Sequence, residues 1–222
     1  MKRIAIIALL LCIVTAAQAQ VISAYISGGG TVSQIQGDEL DGFDNLGWST
    51  GIGTIASLDQ YGLWFLSTEA IYTRRGSFNN SGNPYNIYIA LDYIDIPLLI
   101  HYRDPIGRLM VGIGPVYGRL IAQPHGVVSS DSMTFMPDIN NMAFLKNDFS
   151  LAAEMRFQVW RGLHMSLRWQ HSVFPVKKDW LFTEHHYNHT TDTWTRNCYN
   201  NSITIRLLWQ FGQEPNYRKK RR

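Results

Sequence analysis

Apolar and polar residues alternate one by one through segments of about ten residues, and this period of two limits the chain's possible folds more than any other feature. In the last third, Phe149, Leu151, Ala153, Met155, Phe157 and Val159 alternate with Ser150, Ala152, Glu154, Arg156 and Gln158. Leu163, Met165, Leu167 and Trp169 then alternate with His164, Ser166, Arg168 and Gln170. Near the end, Ile203, Ile205, Leu207, Trp209 and Phe211 alternate with Ser202, Thr204, Arg206 and Gln210. Successive side chains of a strand point to opposite faces, so each segment presents one apolar and one polar face. The spacing of three and four residues that a helix needs is hard to find.

The same pattern, less regular, predicts strands from Val21 to Ser33, Gly47 to Leu58, Leu63 to Arg74, Asn86 to Tyr102 and Arg108 to Ala122, for a total of eight. Tight turns at 59–62, 103–107 and 161–162 alternate with longer loops near 34–46, 75–85, 123–147 and 175–198. Short turns on one side and long loops on the other are the mark of a bacterial outer-membrane barrel, with the short turns in the periplasm. An even strand number brings both ends of the chain to the periplasmic side.

The two ends are set apart from this body. Met1-Lys2-Arg3, an apolar run from Ile4 to Thr15 and Ala17-Gln18-Ala19 read as a secretory signal peptide over residues 1–19, cut before Gln20. The run is shorter than the roughly 20 apolar residues of a spanning helix. Residues 20–211 then form one barrel domain, and 212–222 a periplasmic tail with the basic run Arg218, Lys219, Lys220, Arg221 and Arg222. Of 20 basic residues, two leave with the signal and five lie in this run, so the rest of the chain holds 13 against 17 acidic ones and no basic face for nucleic acid. Cys198 is the one cysteine left after cleavage, so no internal disulfide holds the fold.

A soluble secreted barrel would also alternate, so the content of the polar face decides which face is inside. Solvent-facing strands carry many Lys and Glu, whereas here that face is Gly, Ser, Thr and Gln with few charges, and the apolar face is continuous. Tyr61, Trp64, Tyr102, Trp160, Trp209 and Phe211 gather toward the turns, and Trp48, Tyr72, Tyr88, Phe149, Phe174 and Tyr199 toward the loops, as two interfacial girdles. The polar face therefore points inward. An eight-stranded barrel is just wide enough for side chains to fill, and charges persist there only when paired. Glu69, Asp95 and Glu154 against Arg156, Arg168 and Arg206 form the expected neutral lumen network, helped by Gln158, Gln170, Gln210, His101 and His164. Gly51, Gly53, Gly112, Gly114 and Gly118 are expected to make room for these long side chains.

The stretch 92–100, Asp-Tyr-Ile-Asp-Ile-Pro-Leu-Leu-Ile, resembles the signature of the PorT-type outer-membrane β-barrel family of Bacteroidetes. Residues 69–77 and 111–118 resemble the strands on either side of it, and the similarity extends over the mature chain. The resemblance implies an OmpX-like eight-stranded barrel, and for the founding member a part in type IX protein secretion. Pro97 removes a ladder donor within a strand, which predicts a bulge or bend, with Asp95 pointing inward.

Three local clusters carry candidate chemistry. His185, His186 and His189 in the last long loop could hold zinc or copper, against the plainer reading of a polar surface loop. His171 and Ser172 resemble the His and Ser of outer-membrane lipid deacylases, but adjacent strand residues face opposite ways, which suits proton transfer badly. Asp38, Glu39, Asp41 and Asp44 lack the closing acid of a calcium loop, with Ser49 at that position, and read as solvated charges. The expectation is thus an all-β, eight-stranded antiparallel transmembrane barrel in the outer membrane, monomeric, without catalytic residues or cofactor. Its partners would be outer-membrane lipid and periplasmic or secretion-machinery proteins, and the basic tail would meet anionic inner-leaflet headgroups or a periplasmic partner, against the plainer reading of a solvated tail. A structural or interaction role through its loops leads, a secretion component is the alternative, and a lipid-modifying enzyme is a distant third.

Overall fold

The computed structural model describes residues 22–38, 42–78, 85–105, 108–122, 125–130, 135–137, 143–185 and 190–212. The expected signal peptide and basic tail lie outside the described residues. The strands are β1 (Ile22–Gln36), β2 (Asn45–Ser57), β3 (Trp64–Phe78), β4 (Tyr85–Arg103), β5 (Leu109–Leu120), β6 (His125–Ser130), β7 (Phe135–Pro137), β8 (Asn147–Trp160), β9 (Leu163–Ser172), β10 (Lys177–His185) and β11 (Thr191–Phe211). No helix among the described residues is long and apolar enough to cross a membrane.

Eight of these strands form the wall, in the order β1-β2-β3-β4-β5-β8-β9-β11, and β1 pairs antiparallel with β11 to close it. The closing seam is continuous, running from Ala24 opposite Phe211 to Gln36 opposite Tyr199. Closure removes the sheet edges, so every wall strand has two hydrogen-bonded neighbours, as a strand in hydrocarbon requires.

Burial alternates along the wall with the polar side chains inward. Ser27, Glu69, Arg168 and Arg206 are buried, while Ile52, Leu98, Ile113, Leu151, Leu167 and Ile205 are exposed. A water-soluble protein would hide such residues, and a continuous exposed apolar wall is the outer surface of a transmembrane barrel. Aromatic pairs lie at both margins of this wall: Trp64 and Tyr102 at 5.2 Å toward the short turns, Trp48 and Tyr72 at 4.6 Å toward the long loops. Tyr88 departs from the expected girdle. It packs on Phe78 at the far ends of β3 and β4, beyond the apolar wall.

The long-loop side holds more strand than expected. β3 and β4 extend past the wall, and β6 pairs with the upper part of β4. The expected loop 175–198 contains β10 and the first part of β11, which pair with each other, and β7 adds to β10. Beyond the apolar wall neither strand face has to be greasy, so period-two patterning fades while pairing continues. Of the bulge or bend expected at Pro97, the bulge is absent. The β3–β4 register is the same on both sides of it, with Thr68 opposite Leu98 and Ile71 opposite Asp95. Register shifts occur instead between Gln158 and Trp160 and between Lys177 and Trp180, the second containing Asp179 at φ 48°.

Candidate functional site

The lumen is the largest concentration of buried polar groups among the described residues, and its chemistry is set in layers by strand position. Nearest the short turns, Tyr25, Ile55, Phe65, Met110 and Leu208 form an apolar floor. Deeper in the lumen β3, β8, β9 and β11 contribute Glu69, Glu154, Arg156, Arg168 and Arg206, all less than 5% exposed. Glu69 accepts hydrogen bonds from Arg168 Nη2 at 2.8 Å, Arg206 Nη1 at 3.1 Å and Ser27 Oγ at 3.2 Å. Glu154 accepts from Arg168 Nε at 2.6 Å and Arg206 Nη2 at 2.9 Å, and also from Arg156 Nε. Arg156 lies over the Tyr25 ring, with Cζ 4.9 Å from its centroid, and donates to the Tyr25 hydroxyl.

A second cluster lies one layer nearer the long loops. Arg75 Nη2 donates to Asp95 Oδ1 at 3.2 Å and to Asp148 Oδ2 at 3.0 Å, with its guanidinium 4.2 Å from the Tyr93 ring centroid. Asn200 Nδ2 bridges Asp148 Oδ2 and the Tyr93 hydroxyl. Above this cluster, Ile35, Ile89, Leu91, Val176, Trp180, Phe182 and Cys198 form an apolar cap with Phe144. At the mouths, further cations rest on rings: Arg103 over Phe65 at 4.4 Å, and Lys177 over Phe144 and Trp180 at 5.6 and 5.3 Å.

The expected set of three acids and three arginines is therefore incomplete. Asp95 points inward as expected, but its ion pair is with Arg75, in company with Asp148; the arginine trio is taken by Glu69 and Glu154. The lower cluster has two acids and three arginines, the upper one two acids and one arginine, so neutrality is reached only by the pair of clusters. Arg75 and Asp148 continue the inward parity of Glu69, Ile71 and Thr73 and of Ser150, Ala152 and Glu154. Each falls one residue outside the strand expected from sequence, which is why both were missed.

A cavity of about 10 Å³ between the clusters is lined by Ser49, Thr73, Asp95, Arg168 and Arg206 among others, space for about one water and no solute. Several glycines make this filling fit. A methyl group on Gly112 would strike the His101 ring, one on Gly53 would meet Glu69 and Tyr25, and one on Gly118 would meet Asp95 and Arg75. Gly51 and Gly114 differ from expectation: a methyl group there would strike the neighbouring strand's backbone, at Ala70 and Leu98. Gln170, His101 and His164 are buried in the lumen, with Ser67 and His101 Nε2 hydrogen-bonded at 2.7 Å.

The remaining candidates separate. His171 lies on the outer face, stacked between Trp169 and Tyr199, whereas the buried Ser172 Oγ accepts from the Asn200 backbone N–H, so the two do not form a nucleophile and base. His185 ends β10, while His186 and His189, like Arg218 to Arg222, lie outside the described residues. Among the described residues no group of three or more potential metal ligands comes together. Asp44 is exposed as expected, but Asp38 is buried and is not a solvated loop charge; Glu39 and Asp41 lie outside the described residues.

No family model matches the chain, and the search of curated proteins matches none. Among solved structures the chain is similar to Ail, the attachment invasion locus protein of Yersinia pestis, at 12% identity and a TM-score of 0.46 over 85% of this chain and 98% of that one. It is similar to Neisserial surface protein A at 11% identity and a TM-score of 0.49 over 86% and 99%. The outer membrane protein OprG of Pseudomonas aeruginosa follows at 13% identity and a TM-score of 0.36 over 86% and 97%. The fold itself rests on the closed pairing of this chain's own strands, an all-β, eight-stranded antiparallel barrel.

Proposed function

We propose that the protein is a non-enzymatic, non-conducting outer-membrane barrel that acts through its strand extension on the cell-surface side. The observation that carries this reading is the double seal of the lumen. An apolar floor, two stacked ion clusters and an apolar cap leave no path for a solute. The apolar wall supports placement in a membrane, and the alternation of short turns with long connections supports orientation with the extension outward. What remains available for recognition is the part of β3, β4, β6, β7, β10 and β11 beyond the wall.

The test is paired. Purified barrel in planar bilayers is expected to show no stable large conductance, and stable single-channel openings would overturn the sealed-lumen reading. Pull-down from detergent-solubilised outer membranes, with the extension intact or with residues 178–196 replaced by a short turn, is expected to lose its specific partner only in the shortened form.

Participation in protein secretion is a second reading, supported by the resemblance of residues 92–100 to the PorT-type signature. In this chain Asp95 binds Arg75 and the intervening residues build wall and lumen, so the motif's visible work is structural. Recovery of secretion-machine subunits in the same pull-down would favour it.

A further inference from the structure

The margin of the wall formed by β5, β8 and the segment after β9 combines an aromatic strip with positive charge. Tyr117, Phe149 and Phe174 are exposed on the outer face, with ring centroids 5.3 Å apart for the first pair and 6.3 Å for the second. Immediately beyond them toward the long loops come Arg119, Lys146 and Asn147, all exposed. Asn147 Oδ1 accepts hydrogen bonds from the Tyr117 hydroxyl at 3.0 Å and from Arg119 Nη1 at 2.6 Å, which ties the guanidinium to the rings below it. The groups left at this margin are the other guanidinium N–H groups, the Asn147 amide N–H and the ammonium of the exposed Lys146, all donors.

Among the described residues neither Arg119 nor Lys146 has a carboxylate partner. Arg74, beyond the aromatic margin on β3, is by contrast matched by Asp92 at 2.8 Å. Two cations without an acid, held above rings that face hydrocarbon, complement a molecule that is apolar below and anionic above. Phosphate accepts charge-assisted hydrogen bonds from guanidinium and ammonium groups, and aromatic rings settle at the boundary of headgroup and acyl chain.

We propose that Tyr117, Arg119, Lys146, Asn147, Phe149 and Phe174 form a binding site for the phosphate-bearing headgroup of an outer-leaflet lipid, whose acyl chains run along the rings. The inference rests on the membrane placement of the wall and is independent of what the strand extension recognises.

Native mass spectrometry of the mature barrel refolded in detergent tests it with three probes: phosphorylated lipid A, the same lipid stripped of phosphate, and inorganic phosphate. The expected result is a retained adduct with phosphorylated lipid A only, reduced roughly tenfold or more in R119Q/K146Q, since each surface cation contributes about a factor of five toward an anionic leaflet. R108Q/R161Q, which removes two exposed cations at the short-turn end, is expected to keep the adduct. Equal retention of the dephosphorylated lipid, equal binding of free phosphate, unchanged retention by R119Q/K146Q or an equal loss in R108Q/R161Q would each overturn the proposal. Insertion into vesicles, read from heat-modified gel mobility, is scored separately. A barrel that inserts but does not discriminate among the probes refutes the lipid site and leaves membrane placement standing.

Discussion

The Arg75 guanidinium donates a 3.0 Å hydrogen bond to the Asp148 carboxylate, although 73 residues separate the two in the chain. With Asp95 on the same Nη2 atom, this one cation holds two buried carboxylates from two different strands. Replacing it by methionine leaves both acids without an ionic partner, and breaking a buried pair costs about 3–5 kcal/mol. Arg75→Met is expected to lower the unfolding free energy of the refolded barrel, read from its urea transition, by that order, and Asp148→Asn by distinctly less, because Arg75 keeps Asp95. Equal effects of the two substitutions would contradict this arrangement. Unfolding followed by tryptophan fluorescence provides the comparison.

Glu154 is the acid on which Arg156, Arg168 and Arg206 converge, whereas Glu69 meets Arg168 and Arg206. Glu154→Gln is therefore expected to destabilise more than Glu69→Gln. Adding Arg206→Met to Glu154→Gln should recover part of the loss, with a coupling of about 0.5–3 kcal/mol in a double-mutant cycle, as for residues of one network. Strict additivity would remove the claim that the cluster acts as a unit.

Gly112 faces the His101 imidazole so closely that a methyl group would overlap the ring. His101 is itself fixed by Ser67 at 2.7 Å. Gly112→Ala is expected to cost about 1–3 kcal/mol as overpacking. Gly30→Ala, where a methyl group meets nothing within 4 Å, should be nearly neutral. Melting of both variants in the same detergent measures the contrast.

Cys198 is fully buried in the apolar cap beside Trp180 and Phe182. In a chain expressed from residue 20, which lacks Cys12, its reaction with a water-soluble maleimide is expected to be slow until the barrel is unfolded. Trp180→Ala opens the cap and should accelerate labelling at least several-fold without exposing the lumen clusters, which lie a layer deeper. Fast labelling of the wild type would mean that the cap does not close.

Alternation of Phe149 to Val159, of Leu163 to Gln170 and of Ser202 to Phe211 was enough to determine strands, inward and outward faces, and a barrel with a charged, filled interior. Those features depend on period two and on where water is excluded, and both are local properties of the chain. Which charges meet is a different matter. Arg75 and Asp148 each lie one residue past the expected strand ends, and only closure of β1 onto β11 makes them neighbours within one lumen. The extension of β10 and β11 was hidden for the same kind of reason. Outside hydrocarbon, strand pairing no longer needs an apolar face, so the sequence ceases to signal a strand that backbone hydrogen bonds still form. The sequence by itself therefore determined the wall, and tertiary structure decided how its interior charges are divided and what stands above it.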